Sequence, residues 1–282
     1  MELFKRSLTG VLFVTLVVLC VISGPFWFAG FFAIIVVITL LEYVTIVNKF
    51  KNASINPIWI SLSGLLLFLA FFTYCLGFRD FVIFVPFLLS MIFIFLRELF
   101  LKKTDPINNW ALSVFGLVYI AIPFSILSVL AFNTKQGFGP DNYSYLIPLT
   151  LFVLIWCNDI GAYCVGRTLG RHKLFERISP NKTWEGSVGG AIFSIAVSLI
   201  LSVLMPEVYG HLPVWAWAGM ALVIVVFGTF GDLTESLMKR KLGIKDSGKI
   251  LPGHGGLLDR FDSSLMAIPA TLAYLMTLSL FL

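Results

Sequence analysis

Apolar residues run through this chain in nine stretches separated by short polar links, at positions 7–23, 26–47, 58–76, 81–96, 110–132, 145–166, 187–205, 214–231 and 263–282. Most approach the roughly 20 residues that a helix needs to cross the apolar core of a bilayer. The stretch 81–96 is short and carries Pro86. A helix satisfies its own backbone hydrogen bonds inside lipid, whereas a lone strand does not, so the pattern predicts helices throughout.

The charges test this count. Assigning the polar links alternately to two sides puts all but two of the 20 lysines and arginines on the side of the N-terminus, leaving only Arg79 and Lys135 on the other. Positive charge concentrates on the cytosolic side of membrane proteins. The expectation is therefore an all-α, polytopic integral membrane protein of about nine transmembrane helices. Its N-terminus is cytosolic, its C-terminus lies outside, and it is a single integral domain over residues 1–282. Residues 1–132 form an apolar helical part and 145–282 a part that holds nearly all the unusual polar residues. Lys5 and Arg6 precede the first stretch, and no small-x-small cleavage pattern follows it, so it reads as an uncleaved span.

Composition agrees. The chain is 59% hydrophobic and 12% charged, against roughly 25% charged residues in soluble domains. The net charge of +5 then reports orientation and not a nucleic-acid footprint. Cys20, Cys75, Cys157 and Cys164 form no C-x-x-C pair and read as small buried hydrophobes without disulfides.

Three places on the cytosolic side carry candidate chemistry. The first is Asn158-Asp159, where a carboxylate stands within an apolar run at a cost of roughly 2.5–3.5 kcal/mol on insertion scales. Arg167, eight residues on, is about 12 Å further along the same helix and out of reach of it. The second is Ser179-Pro-Asn-Lys-Thr-Trp-Glu-Gly186. Ser179 before Pro180 reads as an N-cap with proline at the first helical position, giving a helix end able to bind an anion beside Lys182.

The third place joins Asp232 and Glu235, one helical turn apart, to the stretch from Ser236 to Asp262. Asp259 and Asp262 repeat the three-residue spacing. Paired carboxylates from helix ends suit a hard cation such as Mg²⁺. Zinc fits less well, because only His254 offers a softer ligand nearby. Between the acids run Lys239, Arg240, Lys241, Lys245 and Lys249, then Pro252-Gly-His-Gly-Gly256, a pattern suited to cradling phosphates. Each part alone has a bland explanation. Together they fit phosphoryl or nucleotidyl transfer, which needs positioning and charge neutralisation. A transporter with Asp159 and Asp232 as coupling sites is the alternative of a different class, but its acids belong nearer the midplane.

Ser236, Lys239-Arg240, Lys245-Asp246, Pro252, His254-Gly255-Gly256 and Asp259-Arg260-Phe261-Asp262 together resemble the signature of the phosphatidate cytidylyltransferases. Ser179–Glu185 and Gly231-Asp232-Leu233 resemble further segments of that family. The resemblance implies an all-helical membrane homodimer; the charge count puts its site on the cytosolic face, and with no secretion or organelle-targeting signal seen the expected membrane is a bacterial inner membrane. The resemblance also implies a Mg²⁺-dependent reaction of CTP with phosphatidic acid, giving CDP-diacylglycerol and pyrophosphate, with room for a second ion. Carried onto this chain, it implies Asp232, Asp259, Lys239 and Arg260 as the catalytic set. Asp232 and Asp259 would be the principal metal ligands, joined by Asp262 and Asp159. Lys182, Arg240 and Lys245 would neutralise phosphates. Ser179, Asn181, Thr183, Asp246, His254, Gly255 and Gly256 would shape the substrate site. A CTP-dependent lipid kinase is the nearest alternative, and the complete signature argues against it.

Overall fold

The computed structural model describes residues 2–102, 105–132, 139–248 and 255–282, with side chains from Thr9 onward. The elements are α1 (Glu2–Ile22), α2 (Pro25–Val47), α3 (Pro57–Cys75), α4 (Val85–Phe100), α5 (Pro106–Gly116), α6 (Ile122–Leu130), α7 (Leu146–Leu169), β1 (Lys173–Phe175), β2 (Ser179–Thr183), α8 (Trp184–Leu204), α9 (Pro206–Tyr209), α10 (Val214–Lys241) and α11 (Leu258–Leu278). A 3₁₀ turn at Phe81–Phe84 leads into α4, and a π-helical turn at Leu117–Ala121 joins α5 to α6. Among the described residues, eight helical runs are long and apolar enough to cross a membrane, and Thr9–Ile22 forms a shorter apolar helix. The protein is an all-α polytopic membrane protein, with one small hairpin among the described residues.

Local chemistry sets several helix starts. Asn56 accepts the N–H groups of Ile58 and Trp59, and Pro57 follows it where a missing N–H costs nothing. Asp105 caps α5 in the same way by accepting from Asn108 N–H, ahead of Pro106.

The chain divides into two compact units, Met1–Tyr145 with Lys241–Phe261, and Leu146–Arg240 with Asp262–Leu282. The first unit has an aromatic core. Phe28, Phe32, Phe124 and Phe261 are fully or almost fully buried, and the Phe261 ring meets Phe124 edge-on at 5.4 Å between centroids. One buried polar cluster there is fully paired. Asn109 donates to Glu98 Oε2 at 2.9 Å and accepts the Ser54 N–H at 2.9 Å, tying α4, α5 and the loop after α2 together.

In the second unit α7 and α8 pack through glycines. A Cβ on Gly161 would lie 3.0 Å from the Cα of Gly190 and 2.9 Å from Phe193 Cβ. Backbones this close exclude larger residues, as in other membrane helix pairs. Ser194 Oγ donates to the Leu154 carbonyl across the same seam at 2.9 Å. Fully buried Trp217 anchors α10 by donating from Nε1 to the Tyr209 carbonyl at 2.9 Å.

The four cysteines are free, as expected, but their burial is not uniform. Cys75 is buried, Cys20 and Cys157 are half-buried, and Cys164 is exposed on α7.

Candidate functional site

The polar residues of the second unit gather around the β1–β2 hairpin. Its strands pair antiparallel, with Lys173 opposite Thr183 and Phe175 opposite Ser179. The expected N-cap at Ser179 is therefore overturned: Ser179–Thr183 is a strand, and α8 starts at Trp184. Thr183 is the cap, its Oγ1 accepting from Gly186 N–H at 3.2 Å. The strand outcompetes the earlier start because residues 179–183 find backbone partners in β1, and Thr183 still offers a hydroxyl where the helix begins. Glu185, in the first turn of α8, fastens the hairpin. Its carboxylate accepts the N–H groups of Arg171 and His172 at 3.1 and 3.2 Å and lies 2.5 Å from His172 Nδ1.

Along β2 the side chains differ in depth: Asn181 is exposed, Lys182 half-buried and Thr183 buried. Lys182 reaches α10, where its Nζ lies 2.5 Å from Asp232 Oδ2. The other carboxylate oxygen of Asp232 accepts from Ser236 Oγ at 3.1 Å.

The helix that carries Asp232 runs ten residues past the end of the apolar stretch, to Lys241. Lys239 and Arg240 were expected in a phosphate-cradling loop but stand on helix. One reason is visible in the i, i+4 ion pair between Lys239 and fully buried Glu235, which supports this last segment. Arg240 Nε donates to the Ile178 carbonyl at 3.3 Å, anchoring the helix end to the turn of the hairpin.

Asp262 on α11 lies within electrostatic reach of Asp232, Asp159 and Lys239. Three of the four expected metal-binding acids thus share a neighbourhood, supplied by α7, α10 and α11. A cavity of about 320 Å³ is lined by Asn158, Asp159, Tyr163, Ser179, Asn181, Lys182, Thr183, Gly186, Ser187 and Thr229. It holds Ser179, Asn181, Lys182, Thr183 and Asp159 of the expected set. Arg167 pairs with Tyr163, donating from Nη1 to its hydroxyl at 2.9 Å.

No group of three His, Cys, Asp or Glu spaced to hold a metal by itself occurs among the described residues. Mg²⁺ is usually held by one or two carboxylates with waters and substrate phosphates. All the donors offered are hard oxygens.

In the first unit Asp259 joins two described parts of the signature segment. Its Oδ2 accepts the N–H groups of Ser247 and Gly256, each at 2.8 Å. Gly255 has φ +81°, and a Cβ there would lie 2.5 Å from Asp259 Oδ2, so glycine is required by both backbone and space. Lys245, Asp246 and Arg260 are exposed. The expectation for His254 falls outside the described residues.

Sequence reasoning missed Glu42. It sits within α2 with 6% exposure and accepts the N–H groups of Leu257 and Leu258 at 3.1 and 2.8 Å. The available signal was the lone acid in the run 26–47, which is costly in a span without a partner.

Residues 4–278 match the cytidylyltransferase family. The chain belongs to that family. Among curated relatives, the phosphatidate cytidylyltransferases of Staphylococcus saprophyticus and Staphylococcus epidermidis are each 39% identical over 183 residues. The phosphatidate cytidylyltransferase of Staphylococcus aureus is 38% identical over the same length. The matched part is 64% of this chain and spans 65% of each relative. As a cytidylyltransferase-family member, the chain carries its acids and bases on helices α7, α10 and α11 and on the hairpin that introduces α8.

Proposed function

We propose that this protein is a phosphatidate cytidylyltransferase: CTP and phosphatidic acid give CDP-diacylglycerol and pyrophosphate. The observation that carries this reading is the Lys182–Asp232 ion pair, set beside Asp159 and Asp262 in a family member whose signature is complete. The names of the staphylococcal relatives support it.

In this reading a phosphate oxygen of phosphatidate attacks the α-phosphorus of CTP. A new P–O bond forms, and the bond to the β-phosphate oxygen breaks, releasing pyrophosphate. The nucleophile is already anionic, so no strong general base is needed. Lys182 offsets repulsion between the two anions and the charge that builds on the leaving group. Lys239 and Arg240 add positive field from the end of α10, and Lys245 and Arg260 supply further cations from the signature. Ser179, Asn181 and Thr183 shape one wall of the substrate cavity, and Gly255 leaves the signature backbone room beside Asp259. Asp232, with one of its neighbouring acids Asp262 and Asp159, would hold Mg²⁺; the ion, when bound, neutralises and orients triphosphate oxygens.

We place the site at the cytosolic face of a bacterial inner membrane, in a homodimer of nine-span chains with a cytosolic N-terminus. The charge asymmetry of the links supports the orientation. The family resemblance supports the dimer, which native mass spectrometry in lipid nanodiscs tests.

The deciding experiment supplies purified protein in nanodiscs with phosphatidic acid, Mg²⁺ and CTP labelled at the α- or the γ-phosphate. The α label should enter the lipid and the γ label should leave as pyrophosphate. Transfer of the γ label to lipid would replace this reading with a lipid kinase.

A further inference from the structure

Glu42 has no task in the reaction just described, yet it is one of the most heavily used carboxylates in the protein. Its Oε1 accepts the Leu257 N–H at 3.1 Å. Its Oε2 accepts the Leu258 N–H at 2.8 Å and faces Ser247 Oγ at 3.4 Å. Leu257 and Leu258 open α11, where unpaired N–H groups carry partial positive charge. A buried carboxylate given this many donors is compensated, and the donors are compensated in return.

The surrounding backbone is shaped to fit it. A Cβ on Gly248 would lie 2.4 Å from Glu42 Oε1, and one on Gly256 would lie 2.5 Å from Oε2. Two glycines of the signature segment therefore leave room for this side chain. Asp259 makes the matching set of bonds by accepting from Ser247 and Gly256. The segment's entry, at Ser247 and Gly248, and its exit, at Gly256 to Leu258, are thus clipped together by two carboxylates. One comes from α11 itself and the other from the membrane helix α2.

We propose that Glu42 is a positioning residue for the nucleotide. By clipping the two described ends of the signature segment, it fixes the backbone around Asp259, Gly255 and Gly256, and through that backbone the binding of the nucleotide. This rests on the cytidylyltransferase reading. Glu42 touches no reacting atom; it acts through the segment it holds.

The test compares wild type with Glu42→Gln, Glu42→Asp and Gly248→Ala, as full chains in nanodiscs. Hydrogen exchange by mass spectrometry reads the clip directly. Initial rates at varied CTP and varied phosphatidate read its consequence. Glu42→Gln keeps the size but puts an amide donor among donors. It should speed exchange in peptides covering Ser247 and Leu257–Leu258 by about tenfold or more. It should also raise the KM for CTP by about fivefold or more, with the KM for phosphatidate within about twofold of wild type. Gly248→Ala, which presses on the carboxylate without removing it, should move both readouts the same way. It also decides the matter if Glu42→Gln fails to accumulate. Glu42→Asp should recover part of the CTP KM.

A fall in kcat with both KM values unchanged would signify loss of folded enzyme and overturn the proposal. So would unaltered exchange at Ser247 and Leu257–Leu258, or no recovery with aspartate. A wild-type chain that transfers no cytidylyl group, while exchange still rises in Glu42→Gln, would sink the nucleotide role with the reading it rests on and leave the clip standing.

Discussion

The Nζ of Lys182 and Oδ2 of Asp232 stand 2.5 Å apart, joining a hairpin strand to a membrane helix; the two side chains are only 27% and 29% exposed. A cation and an anion held this close and half-sheltered neutralise one another and organise the site before any substrate arrives. In the proposed reaction triphosphate oxygens would compete for the lysine, and a divalent cation would compete for the aspartate. Both exchanges replace one charge-assisted contact with another, so neither leaves a sheltered charge without a partner.

Lys182→Met should therefore lower cytidylyl transfer by about 100-fold or more, the scale on which loss of one transition-state charge contact is felt. Turnover of α-labelled CTP into lipid measures it. Lys49→Gln, at an exposed link after α2, should stay within about twofold of wild type. Equal effects of the two substitutions would mean that the lysine of β2 has no special place.

Asp232→Asn removes the acceptor for Lys182 while keeping the bond to Ser236 within reach of the amide oxygen. Activity should fall by roughly 100-fold or more, and raising Mg²⁺ should not restore it. Membrane extraction and the folded elution profile should match wild type. Recovery at high Mg²⁺ would show that this acid contributes only ion affinity.

Chelation with EDTA should abolish lipid labelling, and Mg²⁺ should restore it. Zn²⁺ should restore much less, since Asp159, Asp232 and Asp262 offer only hard oxygen donors. The lipid-labelling assay, run over a titration of each ion, reads this. Full activity in chelator would remove the metal from the reading.

Gly161→Leu should loosen the α7–α8 seam. A Cβ at that position already lies 2.9 Å from Phe193 Cβ. Overpacking of this kind costs about 1–3 kcal/mol, so the thermal midpoint followed by tryptophan fluorescence should drop by roughly 5 °C. Activity should fall with it, because α7 carries Asp159 and α8 follows the strand that carries Lys182.

The helices were legible because lipid leaves few alternatives: an apolar run near 20 residues folds on itself. Runs 26–47 and 214–231 both anticipated helix starts well. The end of α10 was not legible, since Lys239 and Arg240 read as loop charges until Glu235 is seen beneath them. Ser179-Pro180 misled for a related reason. Proline suits a first helical turn and a strand end equally, and only pairing with β1 decides between them. The acids at 159, 232, 259 and 262 stood out because charge inside oil is expensive. Glu42 carried the same signal but stood alone in sequence, and its donors lie more than 200 positions away.

The hairpin that carries Lys182 has a last consequence. Thr183 both pairs with Lys173 and caps α8, so one inserted or deleted position between Lys182 and Trp184 would turn the lysine away from Asp232 and present a neighbour in its place. Among relatives of this chain, the spacing from Lys182 to the start of α8 should therefore resist changes in length, even where the lipid-facing helices drift freely in sequence.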